Sequence, residues 1–552
     1  MSVRRLNVAV VAGVVCLLAV LTATGLLTGH PVGAGDNGDG SRLYCGAGLV
    51  PATPDGAANW KGGVVLQFNR DAPCRDAVPS SALPILRVAA YASGDGWSLA
   101  RLGWLYAVLA GAITLIAAWA AAGAGLTRVL VLLPPVLPLF DANFSRFFVS
   151  TYGEPAGLLG AFAVVCGVGT IAVTKRTHRA ERMVGLVLVA CGGLLAATAK
   201  AAYAPLLALA VLFCAMTAVS LWRAAPRWLD YGAGALLAVV TALLALAPVT
   251  AALEWQGRRL PAVNAHDMIY TTVLTEVPGS ATEMGLPGAA ARSAGDAYYP
   301  KGPTGAPGWD VVAANPNAAQ SAGIRTLADH PAALLRSVGV GMQATEGSAL
   351  SYLPSKTWTP STRGALDTLV GEQGATSSML RAWLARMKFP WWPSLLAALG
   401  MLAGLAGAVR RGRLWSSFAR LAGVAAIAAL GLVTVAVLGD GYFEVAKHVW
   451  LAAYLLVVTL FGLAGVVLSV GADALRSWHC GGRVMGNVGC GQAASARHRS
   501  STRNTSAVIS PTPNAGSRPL TPEPSATAAR YRRAPKRPRG SAQPRSTAPH
   551  LG

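Results

Sequence analysis

The sequence predicts an all-α polytopic membrane protein with an outer α-rich domain and a disordered basic cytoplasmic tail. Three observations support this fold class. Of its 552 residues, 53% are hydrophobic and only 13% are charged, whereas about a quarter are charged in soluble domains. Uncharged apolar runs recur at about 20 residues, the length of helix that spans a hydrocarbon core. Half of the formal net charge of +22 lies after the last run, because residues 473–552 hold 13 Lys and Arg against two acids.

Nine uncharged runs predict transmembrane helices. They are residues 8–27, 102–126, 156–173, 183–199, 203–222, 231–253, 391–409, 421–438 and 449–472. The first run follows a short basic start, as the core of a signal sequence does. Its 20 residues exceed the usual signal core of about 7–15 residues. We therefore interpret residues 1–28 as a retained N-terminal anchor helix.

A tenth run, residues 129–140, is short and contains Pro134, Pro135 and Pro138. As a helix it covers about 18 Å, so a re-entrant segment is the alternative. The distribution of Lys and Arg, which collect in short cytoplasmic loops, favours a crossing. With a crossing, the N-terminal arginines, KRTHRAER (175–182), RRGR (410–413) and the basic tail share one side. We predict about ten transmembrane helices, with both termini in the cytoplasm.

This topology divides the chain into six segments. They are the anchor 1–28, the first extracytoplasmic loop 29–101, helices two to seven in 102–253, the extracytoplasmic domain 254–390, helices eight to ten in 391–472 and the tail 473–552. Apolar residues follow helical spacing in 326–338 and 377–389 of the domain. The tail has too few apolar residues to fold. For its charge, attraction to anionic membrane lipids is favoured over nucleic-acid binding, and we expect no nucleic-acid partner.

The first loop holds Cys45 and Cys74, and the topology puts no other cysteine outside. Because extracytoplasmic spaces favour oxidation, we expect a disulfide between them, with two unpaired thiols as the alternative. GDNGDG (35–40) is similar to the start of a calcium loop but lacks the later carboxylate ligand, so we interpret it as a flexible turn. No metal site is predicted, and a requirement for a divalent metal stays open.

Ionisable residues recur where the predicted helices meet the outer side. They are Asp141, Glu154, Lys200, Asp440, Glu444, Lys447 and His448. Charges at a membrane edge are costly unless paired or solvated, and are therefore functional candidates. Each also has a structural explanation: Glu154 and Pro155 suit the first turn of a helix, and Asp440 with Gly441 suits a turn. Transfer from a lipid-phosphate sugar donor would use side chains of both charges: cations bind the phosphate, and a carboxylate acts as general base on the attacking hydroxyl.

Four short motifs resemble those of bacterial polytopic hexose transferases of glycan biosynthesis, in the GT-C glycosyltransferase class. NFSRFFVSTYGEPAGLL resembles the family's SFYxEP-type motif through Ser150, Tyr152, Glu154 and Pro155. AKAAYAPL resembles its lysine–tyrosine–proline segment through Lys200, Tyr203 and Pro205. NAHDMIYTTVLTEVPGSATEMGLPGAA resembles the opening of its outer domain, and GDGYFEVAKHVWL resembles its closing motif. The motifs occur in this order over residues 140–450.

The resemblance implies transfer of a hexose from a polyprenyl-phosphate carrier to an extracytoplasmic glycan acceptor. Glu154 is the first candidate for the catalytic base or for orienting the acceptor, followed by Asp141 and Asp440. The candidates for substrate binding are Tyr152, Lys200, Tyr203, Glu444, Lys447 and His448. GT-C enzymes commonly place a key acid in the first outer loop. Here six residues fit that description without a motif to choose among them: Asp36, Asp39, Asp55, Asp71, Asp76 and Asp95.

Three other functions remain open. A ligase or polymerase of lipid-linked glycans also needs an outer catalytic loop. A transporter or flippase for such glycans usually places ionisable residues at the bilayer midplane, and the predicted helix centres here hold almost none. A membrane scaffold would use the outer domain to bind cell-wall partners.

Overall fold

The computed structural model describes residues 3–91, 96–220, 226–299, 305–347, 350, 352–361, 391–410 and 412–482. The predicted helix 377–389 and the tail beyond residue 482 lie outside these residues. The α-helices are α1 Val3–Ala23, α2 Ser41–Tyr44, α3 Ala82–Tyr91, α4 Leu99–Ala122, α5 Leu133–Val136, α6 Ala142–Ser145, α7 Glu154–Val173, α8 Arg179–Ala199, α9 Ala204–Ala215, α10 Gly232–Arg259, α11 Pro261–His266, α12 Leu274–Glu276, α13 Trp309–Ala314, α14 Pro316–Asp329, α15 Pro331–Ala344, α16 Trp392–Val409, α17 Leu414–Asp440, α18 Val445–His448 and α19 Trp450–Gly482.

In the described part of the chain, eight helices are long and apolar enough to cross a membrane. They are α1, α4, α7, α8, α10 with its leading turn, α16, α17 and α19. Each coincides with one of the predicted apolar runs, so the predicted all-α polytopic fold is confirmed. Helix α7 is the centre of the bundle, and every residue in its membrane-spanning window is buried.

Small residues let α7 and α8 approach closely. A Cβ atom at Gly160 would lie 2.6 Å from the Gly192 carbonyl oxygen, and one at Gly167 would lie 2.6 Å from the Gly185 carbonyl oxygen. In a bilayer, where apolar side chains gain little by leaving lipid, such close backbone packing holds helices together. The glycine spacing therefore fixes the distance between two helices whose ends carry the site described below.

The proline-rich tenth run forms a bent pair of helical segments. Residues Leu126–Phe140 and Ala142–Phe148 meet at an angle of 73°, and together they pass as a ninth span. At one end Arg128 donates a hydrogen bond to the Gly412 carbonyl, 2.8 Å away, just before α17 begins. At the other end Tyr152 shares a cleft with Asp440, where α17 finishes. Since the 27 residues of α17 rise about 40 Å, the chain between Arg128 and Tyr152 passes from one end of the bundle to the other.

The run 203–222 is only partly helical. Its helix covers Ala201–Ala215, whose 15 residues rise about 22 Å, less than a full crossing. Beyond it, the Val219 amide donates to the Asp230 carbonyl and the Ser220 amide donates to the Arg176 carbonyl. The predicted end of this span was therefore wrong. Of the described apolar residues after Ala215, Ala218 and Val219 are buried in non-helical chain, whereas Met216 is exposed.

The first loop carries a small antiparallel sheet of β1 Leu49–Pro51, β2 Gln67–Arg70 and β3 Gly96–Ser98, in that order. Leu49 lies opposite Arg70, and Gln67 lies opposite Ser98. Residues 352–361 run beside this loop, where the Gly33 amide donates to the Ser355 carbonyl. Fully buried Arg146 fixes the same segment through the Leu353 carbonyl at 2.9 Å and the Ser355 hydroxyl at 2.6 Å. The loop is thus held against the helix bundle.

The segment after α10 has its own hydrophobic core. Buried residues from α11 to α15 form it, including Met268, Tyr270, Val312 and Leu327. A π-helix, Asp267–Val273, continues α11. Single π-helical turns are rare and frequently occur at functional sites. The described part of the predicted outer domain is therefore α-rich, as expected.

Candidate functional site

One cleft gathers most of the predicted site residues. Its cavity volume is about 230 Å³. The starts and ends of separate helices meet there: Glu154 opens α7, Lys200 follows α8, Asp440 ends α17, and Lys447 and His448 lie in α18. The first loop adds Asp39 and Arg42 to the lining.

Glu154 and Lys200 form an ion pair in this cleft. Gly153 precedes Glu154 and Pro155, which begin α7, and the end of α8 places Lys200 beside them. Lys200 Nζ lies 3.1 Å from Glu154 Oε1. The Glu154 side chain is 5% exposed and the Lys200 side chain 29% exposed. Burial would lower the pKa of the Lys200 ammonium, but Glu154, together with Tyr203, Asp39 and Asp440, raises this pKa above its usual range.

Lys447 connects α18 to the first loop. Its ammonium donates to Asn37 Oδ1 at 3.0 Å and to Asp39 Oδ2, and it lies 5.5 Å from the centre of the Tyr152 ring. Arg42 contacts the other oxygen of Asp39 at 3.1 Å. Burial would raise the pKa of the Asp39 carboxyl, but Lys447 and Arg42 outweigh burial and hold it below its usual range. Asp39 is therefore ionised at neutral pH.

The turn 439–444 has an unusual backbone. Gly441 has φ +67°, and a Cβ atom there would lie 2.4 Å from the Asp267 carbonyl oxygen, so only glycine fits. Glu444 also has a positive φ of 44°, an uncommon conformation for a residue with a side chain. Such strained residues concentrate at functional sites. The turn brings His448 Nδ1 to 3.0 Å from Asp440 Oδ2 and Lys447 Nζ to 3.8 Å from Glu444 Oε2.

Tyr152 and Asp36 shape the turn 35–40. The Tyr152 hydroxyl donates to the Gly35 carbonyl at 2.8 Å and accepts from the Asn37 amide at 2.8 Å. Asp36 Oδ1 accepts from the Gly38 and Gly40 amides at 2.8 and 2.9 Å. Burial raises the pKa of the Asp36 carboxyl. The predicted flexible turn is thus an ordered one, and Tyr152, predicted to bind substrate, holds it with its hydroxyl and lines the cleft with its ring.

Two predicted site residues do not line the cleft. Asp141 caps the short helix α6, since its carboxylate accepts from the Asn143 amide at 2.9 Å. Tyr203 is 2% exposed and packs over α7, where a Cβ atom at Gly157 would lie 2.2 Å from its ring. Both side chains have structural roles here, because the polar tip of Asp141 and the ring face of Tyr203 are occupied by the protein itself.

The sequence did not single out Asp39, Asp267, Tyr299 or Phe443, all of which line the cleft. Of the six acids offered by the first loop, the structure describes five, and Asp39 is the one among them that faces the cleft. Asp39 lies in GDNGDG, whose turn-forming residues were the available signal, but we interpreted this stretch as a flexible turn. Among the described residues, no cluster of three or more metal-ligating side chains is present.

A disulfide joins Cys45 and Cys74, whose Cα atoms are 5.3 Å apart. It lies between two stretches of the first loop that line the cleft, Asp39 to Arg42 on one side and residues 78–80 on the other. The Trp255 indole, also in the lining, donates to the Asp76 carbonyl at 3.3 Å. The cross-link therefore fixes one wall of the cleft.

The helices and the cleft at their ends define a multi-pass membrane protein. Residues 2–310, more than half of the chain, match the family described as the YfdI N-terminal transmembrane domain. The chain belongs to this family. The matched part includes Asp39, Glu154 and Lys200, and it ends before the turn that carries Asp440. No curated protein and no solved structure matches the chain.

Proposed function

We propose that this chain is an integral-membrane glycosyltransferase. It moves a hexose from a polyprenyl-phosphate carrier to a glycan on the extracytoplasmic side of a bacterial plasma membrane. The observation that carries this proposal is the pairing of carboxylates with lysines in one cleft at the ends of apolar helices. Membership in the family of membrane domains that residues 2–310 match supports the same class.

The donor would lie along one side of this cleft. Lys200, Lys447 and Arg42 supply cations for its phosphate, since charge-assisted hydrogen bonds are the strong ones. Ala202, Ala252, Leu260 and Val263 line the cleft next to them. These apolar side chains would flank the first isoprene units, while the rest of the polyprenyl chain stays in lipid.

Asp39 is a better-placed base than Glu154, and both carboxylates pair with lysines of the cleft. Its side chain is 35% exposed, against 5% for Glu154, so an acceptor hydroxyl can reach it more readily. The acceptor oxygen would attack the anomeric carbon, and its proton would pass to Asp39. The bond from that carbon to the phosphate oxygen breaks, and the electron pair leaves with polyprenyl phosphate. Glu154 then orients Lys200 on the leaving phosphate.

The ion pairs suggest how the base is activated. Without a donor, Lys447 and Arg42 stabilise ionised Asp39 and make it a weak base. A donor phosphate would compete with Asp39 for Lys447. Because a nearby cation lowers a carboxyl pKa, withdrawal of Lys447 would raise the proton affinity of Asp39 as the donor binds.

The other functions are supported less well. A transporter is expected to hold its ionisable residues near the bilayer midplane, whereas this cleft lies at the helix ends. A ligase or polymerase would use the same cations and carboxylates on a larger lipid-linked glycan, and it differs from the proposal only in the group transferred.

Turnover with a defined donor tests the proposal. Purified protein in nanodiscs is given a polyprenyl-phosphate-linked radiolabelled hexose and a glycan acceptor. Release of polyprenyl phosphate together with labelled glycan is expected. Release of neither product, from protein that is folded and correctly inserted, would contradict the proposal, and translocation of intact donor across the bilayer would indicate a flippase.

The side of the membrane is tested separately with single cysteines in a background without the native free thiols. In intact cells, Thr177→Cys and Gly412→Cys should resist a membrane-impermeant thiol reagent, and Ala313→Cys should react. Reaction at Thr177→Cys without lysis would put the cleft on the cytoplasmic side.

A further inference from the structure

The cleft has an aromatic wall that the proposed donor chemistry does not use. Tyr299 and Phe443 both line it, with ring centres 6.3 Å apart and planes tilted by 41°. Tyr299 is 52% exposed although it lies in the lining. Phe443 lies on the strained turn between Asp440 and Glu444, so the backbone that places those acids also places this ring. Two ring surfaces are thus available to a bound molecule.

Asp267 lies in the same lining and is held rigidly. Its side chain is 3% exposed. The Tyr298 amide donates to Oδ1 at 2.6 Å, and His266 Nδ1 lies 3.3 Å from the same oxygen. His266 is itself clamped, because its ring stacks on Tyr270 at 4.5 Å and meets the edge of Trp309 at 5.4 Å. Both described contacts use Oδ1, which leaves Oδ2 to accept from a ligand.

Charge separates this wall from the donor side. In the described residues, Asp39 and Glu154 pair with Lys447, Arg42 and Lys200, whereas the ion contact of Asp267 is to neighbouring His266. Beside Asp267, the lining offers the neutral amides of Asn264 and Gln256. An anionic ligand would meet a fixed carboxylate here without a described Lys or Arg pairing to that carboxylate. A neutral, hydroxyl-rich ligand would not be repelled.

A neutral sugar ring has the matching chemistry. One face of a pyranose carries C–H groups, which pack on the electron-rich face of an aromatic ring. Its hydroxyls donate to carboxylates and exchange hydrogen bonds with amides. Pockets that combine apolar and aromatic surface with a few fixed polar groups are typical of small-ligand sites.

We propose that Tyr299, Phe443 and Asp267 form the subsite for a neutral sugar residue of the acceptor glycan. The assignment to the acceptor rests on the proposed transferase function. The sugar ring packs against Tyr299 and Phe443, and Asp267 accepts from one of its hydroxyls. Acceptors with a uronic acid or phosphate at this position are disfavoured.

The test measures binding without turnover, by saturation-transfer NMR on protein in nanodiscs. The probes are methyl glycosides of neutral hexose disaccharides and, for comparison, the corresponding uronides. At least one neutral glycoside is expected to bind wild-type protein more tightly than its uronide. Its affinity should fall about 10-fold in Tyr299→Ala and in Asp267→Asn, as loss of one good contact does. Tyr299→Phe, which keeps the ring, should bind like wild type.

Matched controls separate a local effect from a folding defect. The control for the ring is Tyr91→Ala, because Tyr91 is 88% exposed and lies outside the cleft lining. The control for the acid is Asp329→Asn, because Asp329 is also exposed. Both variants should bind the glycoside like wild type. If Tyr299→Ala unfolds, Phe443→Leu provides the second test of the aromatic wall. Unchanged glycoside binding in both Tyr299→Ala and Asp267→Asn would overturn the proposal. So would a wild-type protein that binds the uronides but none of the neutral glycosides.

A last arm distinguishes acceptor from donor. The neutral glycoside should bind together with polyprenyl-phosphate-linked hexose, and displacement by that donor would reassign the subsite to the donor sugar. Glycoside binding and hexose transfer are measured separately, so failure of the subsite can be distinguished from failure of the proposed function. Glycoside binding with the expected variant pattern but no transfer would leave the subsite standing and remove the transferase. Transfer by the wild-type protein with unchanged glycoside binding in the variants would support the transferase and remove the subsite.

Discussion

The two ends of the helix bundle handle their cations in different ways. At the end that carries Arg5, Arg128 and Arg182, which we call the basic end, arginines donate mainly to backbone carbonyls. Arg182 donates to Ala218, Ile171 and Thr174 carbonyls at 2.9 to 3.1 Å. Arg5 donates to the Trp119 carbonyl at 2.7 Å and also pairs with the Glu181 carboxylate at 3.1 Å. At the cleft end, Lys200 and Lys447 pair with the carboxylates of Glu154 and Asp39.

This difference distinguishes the charges that complete the fold from those that the proposed function assigns to a ligand. The last carbonyls of a helix have no partner within it, and a cation there also meets the negative end of the helix dipole. Ile171 and Thr174 lie at the end of α7, so Arg182 completes that helix. The lysines of the cleft are bound by side chains instead, and a phosphate can replace those partners without opening a helix.

The largest expected effect is on turnover and concerns Asp39. Asp39→Asn keeps the size of the side chain but removes its proton affinity, and general-base contributions are about 10²–10⁴-fold. Release of polyprenyl phosphate per folded molecule should fall by that factor. Turnover of Glu154→Gln, measured in parallel, should fall by a smaller factor if Glu154 orients Lys200. The reverse ranking would restore Glu154 as the base.

Removal of the Lys447 ammonium should have the next largest effect. A hydrogen bond to a charged group is worth about 1.5–3 kcal/mol, which corresponds to about 10–150-fold in rate. Lys447→Met should therefore lower turnover and weaken binding of polyprenyl phosphate. The control is Lys61→Met, which breaks the Lys61 and Asp55 ion pair outside the cleft lining. Equal losses in both variants would mean that Lys447 only supports the fold.

At the basic end, a substitution should alter stability but not chemistry. Arg182→Met leaves buried carbonyls without a donor, a loss of about 1–3 kcal/mol of unfolding free energy. Thermal unfolding in detergent should show it, while turnover per folded molecule stays near wild type. Exposed Arg179 provides the control Arg179→Met, with little change in either quantity. A selective loss of turnover in Arg182→Met would break the distinction between the two ends.

The smallest effect is a pH dependence of stability. The folded-state pKa of Asp39 is below the unfolded value of about 3.9, so its ion pairs stabilise the fold above that pH. The contribution is lost as pH falls through the lower, folded-state pKa. The difference in melting temperature between wild type and Asp39→Asn should be constant from pH 7 to about 5 and shrink at lower pH. A difference that widens on acidification would contradict this.

Most of the fold could be predicted from the sequence, because a helix that spans a bilayer needs about 20 apolar residues. Eight apolar runs became spanning helices with small shifts of their ends. The rule failed where an apolar segment does not form one continuous helix. Ala218 and Val219 are apolar and buried but not helical, and the proline-containing segment Leu126–Phe140 meets Ala142–Phe148 at 73°.

From the sequence, site residues could be predicted only where they lie at the ends of predicted helices. Glu154 and Lys200 stand at the ends of neighbouring predicted helices, and the structure pairs them at 3.1 Å. Asp39 pairs with Lys447 across 408 residues of sequence, from a loop without periodicity, so hydrophobic patterning could not select it. Tyr299 lies in no quoted motif, and Phe443 lies within GDGYFEVAKHVWL without being one of its candidate residues, because ring faces carry no characteristic spacing.

The long-range contacts of the first loop also set an order of events during synthesis. Ser355 and Lys447 are made more than 300 residues after Gly33 and Asp39, the loop residues that they contact. A ribosome adding about 5–20 residues per second delivers them many seconds after the loop. Cys45 and Cys74, 29 residues apart, are present almost at once. Both cysteines are therefore available to cross-link the nascent loop before the residues that provide its final anchors have been made.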